Sequence, residues 1–188
     1  MRPVVIVTGG GRGIGAATAL LFAREGYNVC ISYFSDADAA RGVVSTCKNF
    51  GAKAIAVRSD VANRQDVADL FAACDRALGA PQCLINNAGV IGQTTRIEGL
   101  SEEALEKTFK TNVFGLLYCT QEAARRMSTA NGGSGGVIVN ISSVAAVLGS
   151  PGEYVHYAAS KGAVETISIG AGKELAPEGI RVNAIRVG

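Results

Sequence analysis

The sequence is poor in metal ligands, in long apolar runs and in charge of one sign. It has one histidine, His156, and five cysteines (Cys30, Cys47, Cys74, Cys83, Cys119), with no CxxC pair and no ligand-like spacing. That inventory excludes a zinc or iron–sulfur centre of ordinary design, so no metal is expected. Scattered thiols of this kind read as reduced groups, several of them buried as small hydrophobes, in a cytoplasmic protein. No stretch approaches the roughly 18 consecutive apolar residues of a membrane span. Val4–Val7 runs at once into a glycine turn, which marks a strand rather than the core of a secretion signal. Net charge is +2 and no Lys/Arg cluster compensates, which argues against a nucleic-acid partner. Arg125 and Arg126 read as part of a solvated helix face. Internal repeats and linker-like composition are absent as well, so residues 1–188 are expected to form a single domain.

What is abundant is apolar content and glycine: 48% hydrophobic, 18% charged and 24 glycines. Such a composition builds a core and does not stay disordered. Short apolar runs alternate with segments of helical spacing. Strands are expected at 4–7, 28–33, 53–58, 83–86, 137–142 and 180–186. Helices are expected near 14–24, 36–50, 65–78, 101–127 and 154–175, with 131–136 as a flexible surface turn. Glycine or proline closes most of the helices. Near-continuous apolar strands alternating with helices imply a parallel sheet covered on both faces. Right-handed crossovers make it a doubly wound α/β sheet of Rossmann type, in three α/β/α layers.

Thr8-Gly-Gly-Gly-Arg-Gly-Ile-Gly15 falls where that fold holds a pyrophosphate, after the first strand and opening the first helix. Glycine lets the backbone turn tightly and approach a phosphate closely. The helix N-terminus adds unpaired N–H groups and the positive end of a dipole.

Tyr157 and Lys161 stand four apart on the helix expected at 154–175, so they share a face. An ammonium beside a phenol favours the phenolate. A tyrosine tuned in this way can pass a proton to or from a substrate oxygen at neutral pH. Tyr154 has alanine, not lysine, four residues on. His156 points about 100° away from Tyr157 around the helix and reads as a bystander, with a role at the substrate mouth as the alternative.

Together these residues resemble the short-chain dehydrogenase/reductase family. Thr8, Gly9, Gly13 and Gly15 match its TGxxxGxG motif, and Asn86-Asn87-Ala88-Gly89 its NNAG element. Asn112, Ser143, Tyr157 and Lys161 match its tetrad, and residues 181–185 its sixth strand. Of the adjacent Ser142 and Ser143, which face opposite sides of a strand, alignment with the following segment favours Ser143. The resemblance implies that Tyr157 is the general acid or base and that Ser143 bonds the substrate oxygen. It implies that Lys161 acts on both tyrosine and nicotinamide ribose, and that Asn112 holds a water in a proton relay. The implied coenzyme-binding set is Gly9, Arg12, Gly13, Ile14, Gly15, Tyr33, Ser35, Asp60, Val61, Asn87, Ala88, Gly89, Tyr157 and Lys161.

The coenzyme is expected to be NADP, with NAD as the alternative. Where an NAD enzyme commonly has an acid, this chain has Tyr33, Phe34 and Ser35, and Arg12 could bind a 2′-phosphate. Asp36 is the counter-argument, since a small loop shift would bring it to a ribose hydroxyl. The implied activity is hydride transfer between NADP(H) or NAD(H) and a ketone or secondary alcohol, such as a 3-oxoacyl, sugar or small carbonyl substrate. The rival from another class is a redox-silent dinucleotide-binding protein on the same fold. The resemblance also implies a homodimer or homotetramer, packing small outward positions (Ala123, Ala158, Ala159, Gly162). It implies a longer polypeptide too, truncated here after the sixth strand.

Overall fold

A computed structural model of the chain describes residues 2–188. Each strand is a short run that includes β-branched residues, and the central ones are buried on both faces. Val4–Val7 (β1), Asn28–Tyr33 (β2) and Ala54–Arg58 (β3) are followed by Cys83–Asn86 (β4), Gly136–Ser143 (β5) and Ile180–Val187 (β6). All pairs are parallel, in the order β3-β2-β1-β4-β5-β6. The order reverses between β1 and β4, and ligands of such sheets bind in the crevice outside the carboxyl ends at that point.

The described residues form seven α-helices: Gly13–Arg24 (α1), Ala37–Asn49 (α2), Arg64–Leu78 (α3), Glu102–Phe109 (α4), Leu116–Met127 (α5), Ala145–Leu148 (α6) and Val155–Leu175 (α7). One core layer packs Ile6, Leu70, Phe71, Leu84 and Ile138 with Cys119, Ala123 and Met127 of α5. The other packs Val5, Val7 and Ile31 with Ala19 and Ala23 of α1 and Ala40 of α2. All five cysteines are free and buried. Burial raises the Cys83 and Cys119 thiols to about 12, which leaves them unreactive at neutral pH.

The structure differs from the sequence-based expectations in four places. The helix expected at 101–127 is α4 and α5 joined by a π-helical turn, Lys110–Gly115. The short helix α6, only four residues long, carries too little periodicity to be read. Residues 131–136 are not a wholly exposed turn: Gly135 is buried and Gly136 opens β5, with Gly133 N–H donating to Ser128 O at 2.8 Å, Gly135 N–H to Met127 O at 2.7 Å and Gly136 N–H to Gly179 O at 3.0 Å. Ala123 and Ala158 do not face outward; they are 0% and 4% exposed, in the packing between helices and sheet.

Candidate active site

The glycine loop is held from three sides. Thr8 Oγ1 accepts the N–H groups of Asn87 and Ala88, both at 3.0 Å, and donates to Ile85 O at 3.3 Å. Asn87 Nδ2 returns the contact, donating to Thr8 O at 2.9 Å and Gly9 O at 3.1 Å. From β2, Ser32 Oγ accepts Gly9 N–H at 3.1 Å, and its carbonyl accepts Gly10 N–H at 2.9 Å. Gly13 takes φ +54° to start α1, in the region that disfavours side chains. A Cβ on Gly15 would collide with the carbonyl oxygen of Gly9.

The start of α1 suits an anion. Its N-cap, Arg12, offers no side-chain acceptor, and no acidic residue stands in the first turn. The N–H groups of the first turn are therefore available, and Ile14 lies 49% exposed beside them. At the ends of the neighbouring strands, Tyr33 is half-buried and Ser35 exposed, while Asp60 is half-buried. Asp60 Oδ1 accepts Ala62 N–H at 3.0 Å. Val61 is 5% exposed, and a Cβ on Gly115 would come within 2.8 Å of its Cγ2, so the π turn crosses directly over it. Asp36 caps α2, accepting Ala39 N–H at 2.9 Å. Helix capping is thus the work of the carboxylate that competed for a ribose contact.

On the other side of the switch point, α7 leans on β5. Lys161 is 6% exposed, and its Nζ donates to Ile141 O at 2.6 Å. Burial lowers its ammonium from the ordinary 10.5 to about 8. The same Nζ lies 5.7 Å from the Tyr157 ring centroid, and Tyr154 packs edge-on against that ring at 5.8 Å. Of the two serines, Ser142 is engaged: its Oγ bonds Glu165 Oε1 at 3.0 Å and Lys161 O at 3.3 Å. Ser143 Oγ accepts Ala145 N–H at 3.1 Å, so its own hydroxyl proton is free to donate. Asn112 sits in the π turn, 2% exposed. Its amide pairs with Val90, accepting from N–H and donating to O at 2.8 Å each, and also donates to Ser160 Oγ at 3.0 Å. Gly89 lies between Asn112 and Lys161: a Cβ there would be 3.2 Å from Asn112 Oδ1 and 3.7 Å from Lys161 Nζ.

His156 turns away from this group. It is 3% exposed, and its Nε2, like Thr108 Oγ1, has no hydrogen-bond partner among the described residues. A side chain on Gly92 would meet both of these atoms, at 2.7 and 2.8 Å. Sequence reasoning missed Ser32, which carries no motif signal, and Arg58, which closes β3 and whose Nε donates to Phe34 O at 3.2 Å. Among the described residues no cluster of metal-ligating side chains occurs, and no helix is long and apolar enough to cross a membrane.

A parallel sheet of this strand order, with a braced glycine loop at its switch point, defines a dinucleotide-binding α/β protein. Residues 3–188 match the short chain dehydrogenase family, and the chain belongs to it. Among its relatives is the uncharacterized oxidoreductase YgfF of Escherichia coli K12, 46% identical over 98% of this chain and 75% of that protein. The 3-oxoacyl-[acyl-carrier-protein] reductase FabG of Staphylococcus aureus is 34% identical over 100% of this chain and 74% of its own. A short chain dehydrogenase from Burkholderia cenocepacia, solved in complex with NADP, superposes with a TM-score of 0.91. It is 33% identical, over 98% of this chain and 73% of that one. The chain is thus an NAD(P)-dependent oxidoreductase by family, spanning about three quarters of the length of these relatives.

Proposed function

We propose that this oxidoreductase interconverts a ketone and a secondary alcohol with NADP(H), NAD(H) serving as the weaker coenzyme. The observation that carries the reading is the buried Lys161 ammonium 5.7 Å from the Tyr157 ring, facing the strand that ends in Ser143. A bound dinucleotide supplies the hydride in reduction and takes it up in oxidation.

The chain's own residues do the rest. Tyr157 gives its phenolic proton to the substrate oxygen in reduction and takes it back in oxidation. Ser143 donates its free hydroxyl proton to the same oxygen, where charge develops. Lys161 stabilises negative charge on the phenol, in a site where low dielectric strengthens the interaction. Asn112, clamped to Val90, sets the wall beside Lys161 and Gly89 from which a water relays protons. Gly9, Gly13, Ile14, Gly15 and Arg12 take the phosphate end of the dinucleotide, and Tyr33, Ser35, Asp60 and Val61 its adenosine. Asn87, Ala88 and Gly89, with Tyr157 and Lys161, line the nicotinamide side.

The NADP complex of the Burkholderia cenocepacia relative supports the coenzyme choice. The FabG relatives support a 3-oxoacyl or similar small carbonyl substrate. We also place the protein in the cytoplasm, as a single-domain subunit of a homodimer or homotetramer.

Coenzyme oxidation across a carbonyl panel tests the reading, with Tyr157→Phe alongside. Turnover with NADPH should fall by about 10²–10⁴-fold in the variant, while calorimetry still detects NADPH binding. Undiminished turnover in Tyr157→Phe would remove the tyrosine from the chemistry. A wild type that binds NADPH yet turns over no carbonyl would make the protein redox-silent.

A further inference from the structure

Arg58 is brought to the coenzyme's ribose end by the sheet alone, since it lies 46 positions from Arg12 in the chain (58 − 12). It pairs in register with Tyr33 at the carboxyl ends of β3 and β2. Strand alternation puts its side chain on the face of Ala54 and Ala56, which pack beneath α1 and α2. Ile55 and Val57 pack the opposite face. Its Nε is anchored on Phe34 O at 3.2 Å, and neither terminal nitrogen has a hydrogen bond or ion pair among the described residues.

Arg12 stands in the glycine loop that follows β1, on the other side of β2 from Arg58. Its neighbour Gly11 sits against the first turn of α2, where a Cβ would lie 3.7 Å from Ala40. Arg12 is exposed and free of ion pairs among the described residues. The nearby carboxylates are engaged elsewhere: Asp36 caps α2, and Asp38 pairs with Arg41. Two guanidinium groups without an ion pair among the described residues are therefore carried by the two neighbours of β2 in the sheet, on either side of the hydroxyl-bearing segment Tyr33-Phe34-Ser35.

We infer that Arg58 is a second cation for the 2′-phosphate of NADP, acting with Arg12, and that it sets the preference for NADP over NAD. The inference rests on the dinucleotide reading proposed above. A guanidinium anchored through Nε presents its two terminal nitrogens as a fork, which matches two phosphate oxygens. Both arginines are exposed, so the dinucleotide without that phosphate loses an attraction and meets no buried unpaired charge.

Calorimetric titration of the 188-residue chain with adenosine 2′,5′-bisphosphate and with AMP tests this without any turnover. Arg58→Gln should weaken the bisphosphate by about tenfold or more and AMP by less than about twofold. Arg58→Lys, which keeps the charge and loses the fork, should fall between wild type and Arg58→Gln. Added salt should weaken bisphosphate binding more steeply in wild type than in Arg58→Gln. Equal losses for the two ligands, or no loss for either, would overturn the role of Arg58. Should wild type favour the bisphosphate and only Arg12→Gln abolish that preference, the NADP reading stands and Arg58 drops out. A wild type that binds AMP as tightly as the bisphosphate would overturn both.

Discussion

Lys161 carries an ammonium into the interior with one carbonyl, that of Ile141, to receive it. Burial brings its pKa down from 10.5 to about 8, so the native chain holds fewer protons than the unfolded chain between those values. Stability then rises with pH across that window. Below pH 8 the whole desolvation cost is present, and above 10.5 it is gone. We predict that wild type gains about 3 kcal/mol relative to Lys161→Met between pH 7.5 and 10.5, read by urea unfolding. A difference that stays flat with pH would mean that solvent reaches Nζ in the folded protein. The same residue shows what spacing can and cannot reveal. Its pairing with Tyr157 follows from helical geometry, whereas its burial depends on β5 lying against α7. The difference between Ser142 and Ser143 is likewise tertiary: Glu165 and the Lys161 carbonyl engage Ser142, whereas Ser143 Oγ only accepts Ala145 N–H.

Between elements, a buried polar ladder fixes β4, β5 and α7 just beneath the site. Asn86 and Asn140 are register partners, and Asn86 Nδ2 donates to Asn140 Oδ1 at 2.9 Å. Asn140 Nδ2 donates to Ser168 Oγ at 2.9 Å, which in turn bonds Val164 O at 2.7 Å. Asn140 is 0% exposed, so truncation takes one acceptor from the Asn86 amide, which keeps Thr120 Oγ1 at 3.2 Å, and the donor from Ser168 Oγ, which keeps Val164 O. Asn140→Ala should cost about 1–3 kcal/mol by chemical denaturation, from two lost buried hydrogen bonds. It should also weaken NADPH binding, because Asn87 is the next residue after β4 and braces the glycine loop. A loss below about 0.5 kcal/mol, the range of ordinary surface changes, would show the ladder to be dispensable. The π turn at Lys110–Gly115 belongs to this scale as well. A continuous apolar period through 101–127 hides it, and only the crossing over Val61 and the clamp on Val90 single it out.

Across the whole molecule, the two sheet edges differ. β3 is a five-residue edge, whereas β6 runs eight residues with only β5 as its partner among the described strands. Ile185 on β6 is 50% exposed, and Ile169 on the adjoining α7 is 61% exposed. A long edge flanked by apolar side chains is a template for pairing with another chain. The 188-residue chain should therefore self-associate with rising concentration, and Ile185→Lys should suppress that association. Light scattering at two concentrations reads it. Association unaffected by Ile185→Lys would place the contact elsewhere on the molecule.

The sequence by itself determined the α/β alternation, the glycine loop and the Tyr157–Lys161 pair. These depend on periodicity, on the absence of Cβ atoms and on spacing within one element, all of which are local properties. Only the tertiary structure decided that Asn87 and Ser32 hold the glycine loop, and that Arg58 is anchored on Phe34 at the end of β2. Those assignments depend on which strands lie side by side. Parallel pairing joins residues tens of positions apart through backbone bonds that carry no residue-specific signal in the chain.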